Sequence, residues 1–205
     1  MVNAEKIEIW GFEHALRGMR NPMNSWEKSD SKFDNIPVYI GDADLDLMRR
    51  LFKAGTEHRK FMRQIFVSMD ITAPLYWWKE FDTYKVGTVA NSCSTMHKIQ
   101  EKEFTIDDFS TSHLIIQNKF IMESIIESLN EARMNYISTK EKMWWWQMIQ
   151  LLPSSYNQKR TITMNYENAA SMIRQRSGHK LYEWNHFVEI LKDLPYMMEI
   201  IGDSK

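Results

Sequence analysis

The amino-acid sequence predicts a single α+β domain over residues 1–205, rich in helix and with a small mixed sheet. Several long segments repeat apolar residues at helical spacing, whereas two shorter segments alternate apolar and polar residues as strands do. No internal repeat, low-complexity tract or interdomain linker separates these segments. A chain of 205 residues can bury one sizeable core, so one domain is expected.

Both predicted strands lie in the first half of the chain. Alternation predicts the first strand over residues 6–12 and the second over residues 60–71. Between them, glycine, proline, asparagine and serine residues predict a loop with turns over residues 16–33. Pro74 then opens a short aromatic helix, at a position where proline is tolerated.

The remaining elements are predicted to be helices. The first covers residues 43–54, where Asp42 is expected to cap it and Gly55 to end it. A long helix is predicted over residues 112–139, with one apolar side formed by Leu114, Ile121, Ile125 and Leu129. Further helices are predicted over residues 140–152, which Pro153 ends, and over 165–176 and 180–194, separated at Ser177-Gly178.

The composition excludes several classes of protein. Lysine and arginine number 26 against 27 aspartate and glutamate, without a basic run, so binding to nucleic acid has no electrostatic support. One cysteine excludes an internal disulfide and suits a reducing compartment. No signal peptide or membrane-spanning stretch is recognisable, which predicts a cytoplasmic protein without membrane contact. The 15 methionines and eight tryptophans suit a helical interior or broad subunit contacts.

The common phosphate-binding motifs are absent from the sequence, and the one pattern that resembles a metal-binding motif is incomplete. Neither GxGxxG nor GxxxxGK[ST] occurs. His179, Glu183 and His186 share the spacing of one helical face, and the last two match the Glu-x-x-His spacing of di-metal helical bundles. Such bundles need a second Glu-x-x-His helix, which the sequence lacks. No metal is therefore expected, and a partly exposed polar stripe is the alternative.

Four blocks of sequence, between roughly residues 50 and 190, occur in an order and spacing that one known family shares. They read "AGTEHRKF", "DITAPLYWWKEFDTYKVGTVANSCST", "LLPSSYNQKRTITMN" and "NYENAASMIRQRSGHKLYEW". The second stands where the family has Arg-His-Arg-x-x-Ser-x-Asn-x-x-Ser-x-Arg after an aromatic helix opened by proline. The others resemble its Gly/Glu/His segment, its Leu-Pro turn leading to Thr-x-Asn, and the arginine-bearing helix that follows. The chain thus resembles the flavin-dependent thymidylate synthases, as a distant member.

The resemblance implies a fold, a cofactor and a reaction. The family is an α+β homotetramer that holds FAD in a groove between subunits, without a glycine-rich dinucleotide motif. Its reduced flavin relays the methylene group of a folate to C5 of dUMP and supplies the hydride, with NADPH as reductant. A cytoplasmic homotetramer that binds FAD, a pyrimidine nucleotide, a folate donor and NADPH, and that makes dTMP, is therefore expected.

The signature block departs from the family pattern at its arginines. Aligned without gaps from Pro74, the Arg-His-Arg falls on Thr83, Tyr84 and Lys85. The first serine of the signature falls on Thr88, its asparagine on Ala90, its second serine on Cys93 and its last arginine on Thr95. One inserted residue would instead place the asparagine on Asn91 and the second serine on Ser94. Before the Leu-Pro turn, where the family has a further arginine, this sequence has Met148-Ile149. Arg176, in contrast, matches the arginine that the family has in the helix after Thr-x-Asn. The loss of these arginines predicts weak dUMP binding or another nucleotide specificity.

The resemblance implies two sets of site residues. The substrate-facing or catalytic set is Arg176, which would polarise the pyrimidine or its phosphate, with Cys93, Ser94 and Glu80. The FAD set is His58, Tyr84, Lys85, Thr88, Asn91, Asn165 and His179. Within these sets, Tyr84 and Lys85 are expected beside the isoalloxazine, and the Asn91–Ser94 loop is expected to hold the sugar phosphate through backbone N–H groups.

Several of these residues have simpler structural interpretations. Trp77, Trp78 and Phe81 are expected in the core, as aromatic residues at helical spacing usually are. Glu80 could pair with a neighbouring lysine, Cys93 could be a small buried residue, and His179 could cap a helix. A non-catalytic flavin- or nucleotide-binding regulator with this fold is the alternative function, and a helical metalloprotein is a third.

Overall fold

A computed structural model of the protein describes residues 2–33 and 38–202. Four strands form one antiparallel sheet in the order β1-β2-β4-β3. Their bounds are β1 Asn3–Trp10, β2 Phe66–Pro74, β3 Thr88–Ser92 and β4 Asn157–Asn165. The sheet is antiparallel where a mixed sheet was expected, and the α+β class is confirmed.

Helices make up the rest of the regular structure. Their bounds are α1 Phe12–Arg20, α2 Asp42–Lys53, α3 Leu75–Phe81, α4 Thr95–Lys98, α5 Ile116–Thr139, α6 Lys142–Leu151, α7 Tyr166–Arg176, α8 Tyr182–Lys192 and α9 Met197–Ile201. None of the helices in the described part of the chain is both long and apolar enough to cross a membrane.

The chain divides into two compact units. The middle unit comprises Asp70–Thr83 and Ala90–Thr161, with the residues that precede Ala4. The terminal unit comprises Ala4–Met69, Tyr84–Val89 and the residues from Ile162 onward. That the chain acts as one domain stays a prediction.

The core of the middle unit contains the predicted aromatic helix. Trp77, Trp78 and Phe81 of α3 are almost wholly buried, which confirms their assignment to the core. Their ring centroids lie 4.9 to 5.3 Å apart, close enough for edge-to-face and stacked contacts. The indole nitrogen of Trp78 donates to the carbonyl oxygen of Gln158 at 2.9 Å, so its polar edge is satisfied inside the core.

Helix α5 packs in the middle unit through a side that matches the predicted one in part: Leu129 is buried, and Leu114 and Ile125 pack against the same cluster. Its buried residues are Met122, Ile126, Leu129 and Ala132, whereas Ile121 is 58% exposed. The buried side packs in one apolar cluster with Met148 of α6. Because α5 carries apolar residues on more than one side, spacing alone did not show which side would face a partner.

Two elements of the terminal unit differ from the sequence prediction. Residues 12–20 form helix α1, although residues 16–33 were expected to be a loop. Gly18 indicated a turn, but it lies inside α1, beside the side chain of Gln64. Residues 59–64 form a 3-10 turn before β2, where the strand was expected to have begun. The adjacent Phe61 and Met62 are both buried, which breaks the strand alternation.

Helices α7 and α8 confirm their predicted positions, but the predicted histidine stripe is wrong. Helix α8 begins at Tyr182, so His179 lies before the helix and cannot share its face with Glu183 and His186. Glu183 is buried, among the apolar residues by which α8 packs. Across residues 2–33 and 38–202, no three His, Cys, Asp or Glu side chains form a group that could hold a metal ion.

Asp44 is a wholly buried carboxylate of α2 that organises the start of the terminal unit. It pairs with Nε of Arg20 at 2.6 Å and accepts hydrogen bonds from the hydroxyls of Ser29 and Ser31. Burial raises the pKa of Asp44, but the hydrogen bonds from Ser31, Ser29 and Arg20 outweigh burial, so the pKa lies below its ordinary value of 3.8. The ionised carboxylate thus holds the segment Ser29–Ser31 against α2.

Candidate functional site

The segment Tyr84–Val89, here called the strap, lies against the first turns of helix α7. The side-chain nitrogen of Asn168 donates to the carbonyl oxygen of Val86 at 2.7 Å. Gly87 has φ +80°, and a Cβ at this position would lie 2.5 Å from Oδ1 of Asn168. Within the strap, the hydroxyl of Thr88 donates to the carbonyl oxygen of Tyr84. The strap therefore needs glycine at residue 87, both for its backbone angle and for its closeness to α7.

Asn165 has a structural role that the resemblance did not imply. It is the N-cap of α7, and its Oδ1 accepts from the backbone N–H of Asn168 at 3.0 Å. Its side-chain nitrogen would lie 2.9 Å from a Cβ at Gly87. Asn165 thus both begins α7 and confines the strap.

A cavity of about 480 Å³ opens between the strap, α7 and the 3-10 turn over residues 59–64. We call it the arginine cavity because three arginines line it. Its lining residues are Thr56, Arg59, Arg63, Val86, Gly87, Asn165, Glu167, Asn168, Ser171 and Arg174. This volume falls in the range of roughly 300–1,000 Å³ that small-molecule sites occupy.

The charges of the arginine cavity are unevenly paired. Arg63 donates to Glu167 through Nε and, at 3.4 Å, through Nη2, and this bonding raises the pKa of Arg63. Nε of Arg59 lies 3.9 Å from the nearest oxygen of the same carboxylate, beyond hydrogen-bonding distance. Burial lowers the pKa of Arg59, and the charges of Arg174 and Arg63 lower it further. The carboxylate of Glu167 is therefore paired mainly with Arg63.

Arg176, the predicted substrate arginine, lies among aromatic residues at the other end of α7. Its Nε donates to the hydroxyl oxygen of Tyr84 at 2.9 Å, and its guanidinium carbon lies 4.5 Å from the ring centroid of Trp184. The hydroxyl of Tyr84 donates to Oε1 of Gln175 at 3.0 Å. A planar guanidinium stacked on an indole is held in a defined orientation, which lysine would not reproduce.

His179 lies next to Arg176 but has a competing partner. Its Nε2 is 3.2 Å from Nη1 of Arg176, while its Nδ1 accepts from the backbone N–H of Leu181 at 3.1 Å. A neutral imidazole has one accepting nitrogen, so it cannot accept from both donors. When Nδ1 accepts from Leu181, Nε2 carries the proton and cannot accept a hydrogen bond from Arg176. Arg176 is therefore positioned by Tyr84 and Trp184.

The other predicted cofactor residues of the terminal unit are distributed differently. His58 lines a separate cavity of about 730 Å³, whose walls come from α1, α2 and the segments near them. The structure therefore does not bring His58 to the cavity that Asn165 lines. Lys85 is exposed in the strap, while Thr88 is half-buried and bonded within the strap.

Four of the predicted residues belong to the middle unit. Asn91 is exposed and belongs to strand β3, so the expected Asn91–Ser94 loop is partly strand. Cys93 is exposed, which excludes the buried interpretation, and its backbone bonds to Lys159 and to the side chain of Gln158. The hydroxyl of Ser94 accepts from the backbone N–H of His97 and caps α4. Glu80 is half-buried in α3, and its carbonyl oxygen accepts from the hydroxyl of Thr83.

Sequence reasoning missed the arginine cavity. Its charged residues are Arg59, Arg63, Glu167 and Arg174, and none of them was among the predicted site residues, although three lie within the four blocks of the resemblance. Each alone is indistinguishable from a surface charge.

Comparisons with known proteins support the fold. No protein-family model matches the chain, and no curated protein matches it. Two crystal structures of the flavin-dependent thymidylate synthase ThyX from Helicobacter pylori, both with FAD and dUMP, superpose on it with a TM-score of 0.69. Each superposition includes 98% of this chain, together with 97% of the first ThyX chain and 98% of the second. The sequence identity is 16% in both cases. The chain has the fold of these enzymes along nearly its whole length, which confirms the fold implied by the resemblance.

Proposed function

We propose that this protein binds FAD and methylates a pyrimidine nucleotide at C5, as a thymidylate synthase-like enzyme. The observation that carries the proposal is the shared fold over 98% of the chain with enzymes whose structures contain FAD and dUMP. The folate methylene donor and NADPH follow from the resemblance of the four sequence blocks. Fold alone does not define an activity, so the local chemistry of the chain must support it.

The terminal unit suits a flavin dinucleotide in two ways. The strap and α7 line a cavity of about 480 Å³ whose charge is positive, as an anionic dinucleotide requires. The same two segments carry Tyr84 and Arg176, which present an aromatic ring and a planar cation. Bound FAD would supply the hydride chemistry, which amino-acid side chains lack. Asn165 and Asn168 would hold the strap in the shape that lines the site.

Arg176 is the residue that we assign to the nucleotide. Tyr84 and Trp184 fix its guanidinium in one orientation, so a substrate oxygen could be met without a costly rearrangement of the side chain. In this role Arg176 polarises the pyrimidine carbonyl or binds the nucleotide phosphate. Cys93 would contact the substrate without forming a covalent adduct.

We also infer a homotetramer, in keeping with the resemblance. Many large apolar residues of α5 and α6 are exposed in the single chain, among them Ile116, Phe120, Ile121, Met134, Met143 and Trp146. Exposed apolar residues in such numbers are typical of subunit interfaces.

A non-catalytic flavin- or nucleotide-binding regulator is the second candidate. It is favoured by the threonines at the places where the resemblance expects arginines. The hydroxyl of Thr83 donates a hydrogen bond to the carbonyl oxygen of Glu80 at 2.7 Å, a contact within its own helical turn. Such a protein would bind the same ligands but show no turnover.

The first experiment is a visible absorption spectrum of the purified protein, followed by titration of cofactor-free protein with FAD. Quenching of flavin fluorescence in the micromolar range, and release of FAD rather than FMN on denaturation, are the expected results. Tritium release from C5-labelled dUMP, with methylenetetrahydrofolate and NADPH, then separates the two candidates. Release of tritium supports the enzyme, and binding of FAD or dUMP without release supports the regulator. A protein that binds no FAD contradicts the enzyme and leaves a nucleotide-binding regulator as the candidate.

A further inference from the structure

The hydroxyl group of Tyr84 makes two hydrogen bonds, one as an acceptor and one as a donor. It accepts from Nε of Arg176 at 2.9 Å, and it donates to Oε1 of Gln175 at 3.0 Å. A phenolic hydroxyl has one hydrogen to donate and can accept through its oxygen at the same time, so both bonds form together. The three side chains of Gln175, Tyr84 and Arg176 are here called the hydrogen-bond chain.

Gln175 determines the direction in which the hydroxyl hydrogen of Tyr84 points. A hydroxyl hydrogen rotates to meet an acceptor, and an arginine side chain offers only donors. With the hydrogen directed at Oε1 of Gln175, the oxygen keeps its lone pairs for Nε of Arg176. Without an acceptor at residue 175, nothing in the hydrogen-bond chain would hold that hydrogen away from the guanidinium group.

The two bonds strengthen each other. The bond from Arg176 is charge-assisted, and such bonds are stronger than those between neutral groups. When Tyr84 donates to Gln175, its oxygen becomes a better acceptor, because successive hydrogen bonds polarise one another. Loss of the neutral bond is therefore expected to weaken the charged bond as well.

Contact with aromatic rings does not fix the orientation of Arg176 by itself. Its guanidinium carbon lies 4.5 Å from the ring centroid of Trp184 and 5.5 Å from that of Tyr84. Trp184 is wholly buried, so its indole ring is held by packing. The attraction of a cation to a ring face depends little on rotation of the guanidinium in its own plane, whereas a hydrogen bond to Nε restricts that rotation.

Gln175 is the member of the hydrogen-bond chain that can be changed without disturbing the core. It is exposed in α7, whereas Tyr84 and Arg176 are half-buried. Substitutions of an exposed side chain usually change the free energy of unfolding little. An effect of Gln175 on the site would therefore come from its hydrogen bond and not from the fold.

We propose that Gln175 is a positioning residue for Arg176, acting through the hydroxyl group of Tyr84. It holds the hydroxyl hydrogen, so that Tyr84 accepts from Nε and the guanidinium group meets the pyrimidine nucleotide in one orientation. The part of the nucleotide rests on the proposed function, whereas the hydrogen-bond chain rests on the two bonds. Tyr84 thereby has a role beyond the flavin contact that the resemblance implies.

The first measurement needs no ligand. Phenylglyoxal modifies arginine side chains, and mass spectrometry of peptides from the treated full-length protein gives the rate of modification at Arg176. Gln175→Met removes the acceptor at similar side-chain length, whereas Gln175→Glu keeps an acceptor. Gln147→Met is the matched control, because Gln147 is an exposed glutamine of α6. Modification of Arg176 should be about threefold faster or more in Gln175→Met, and as in wild type in the other two variants.

The second measurement is kcat/KM for tritium release from C5-labelled dUMP by the FAD-loaded protein. Gln175→Met should lower kcat/KM by roughly three- to tenfold, the effect of one neutral hydrogen bond, with the Kd for FAD unchanged. Tyr84→Phe should lower it by roughly ten- to one-hundredfold. Adding Gln175→Met to Tyr84→Phe should cause no further loss, because Gln175 acts only through the hydroxyl group. Gln175→Glu should restore most of the activity.

Two results separate the hydrogen-bond chain from the proposed function. If Gln175→Met speeds the modification of Arg176 but the wild type releases no tritium, the role of Gln175 stands and the proposed enzyme falls. If wild type and Gln175→Met release tritium equally, and Arg176 is modified at equal rates, the enzyme stands and the role of Gln175 is wrong. Equal effects of Gln175→Glu and Gln175→Met would also overturn the proposal, since the acceptor would then not matter.

Discussion

Asn168 donates a 2.7 Å hydrogen bond from its side-chain nitrogen to the carbonyl oxygen of Val86, and this bond ties the strap to helix α7. It joins residues 82 positions apart in the chain. The arginine cavity and the surroundings of Arg176 both include residues of these two segments, so the shape of the candidate site depends on this attachment.

Gly87→Ala should therefore disturb the site. At φ +80°, with Oδ1 of Asn168 only 2.5 Å from the new Cβ, alanine is both strained and obstructed. We expect a loss of about 1–3 kcal/mol in the free energy of unfolding, measured by urea denaturation, and weaker FAD binding. Gly202→Ala is the control, because Gly202 has φ +70° and nothing within 4 Å of a Cβ. Equal losses in the two variants would show that backbone strain alone, and not contact with α7, matters at Gly87.

Arg176→Lys should reduce activity more than it reduces stability. Lysine keeps the charge but loses the planar group that stacks on Trp184 and bonds Tyr84. Loss of one charge-assisted bond of about 1.5–3 kcal/mol corresponds to roughly ten- to one-hundredfold in kcat/KM, measured by tritium release. Arg50→Lys is the matched control, since Arg50 is exposed and outside the site. Unchanged kcat/KM in Arg176→Lys would remove Arg176 from the reaction.

Asp44 should make the stability of the fold sensitive to acid. Its pKa in the folded state lies below the unfolded value, so its contribution is fully present above about pH 4 and is lost as pH falls through the lower folded pKa. Asp44→Asn should cost about 3–5 kcal/mol near neutral pH, because it leaves Arg20 buried without its charge partner. The free energy of unfolding, measured by urea denaturation from about pH 2 to pH 7, should depend less on pH in the variant than in the wild type.

The exposed pair of Asp46 and Arg50 provides the comparison for this result. Both side chains are more than 60% exposed, so Asp46→Asn should change the free energy of unfolding by less than about 1 kcal/mol. A loss as large as that of Asp44→Asn would contradict the assignment of the acid sensitivity to Asp44.

Cys93→Ser should keep a good fraction of any activity. Cys93 is exposed, and its backbone is held by Lys159 and Gln158, so the smaller change from sulfur to oxygen leaves the strand intact. Wild-type protein should react with a thiol reagent without denaturant, and the variant should not. A fall in activity of about a thousandfold or more, with FAD still bound, would instead identify Cys93 as a covalent nucleophile.

The double variant Phe120→Glu/Ile121→Lys should dissociate the proposed tetramer. The two side chains are 61% and 58% exposed in the single chain, so charged residues there are tolerated by the fold but not by an apolar interface. Light scattering should show a smaller species, with helix content unchanged. Met23→Glu, at a residue 82% exposed in the terminal unit, should keep the size of the wild type. A monomeric wild-type protein would contradict the tetramer outright.

The sequence by itself determined the α+β class, most of the helices and the similarity to flavin-dependent thymidylate synthases. These features are local or ordered along the chain: the periods of α2, α7 and α8, Pro74 before α3, and four blocks in one order. Strands β3 and β4 were not predicted, because β3 is short and β4 begins with polar residues, so both become strands only through pairing within the sheet.

Only the tertiary structure decided the arginine cavity and the partner side of α5. Arg59 and Arg174 lie 115 positions apart and meet over Phe52 because α7 packs near the turn that carries Arg59. A charged residue has no local pattern that distinguishes a solvated surface from a cavity. Likewise, the several apolar sides of α5 satisfy the same period, and only packing against α6 selects the side that is buried.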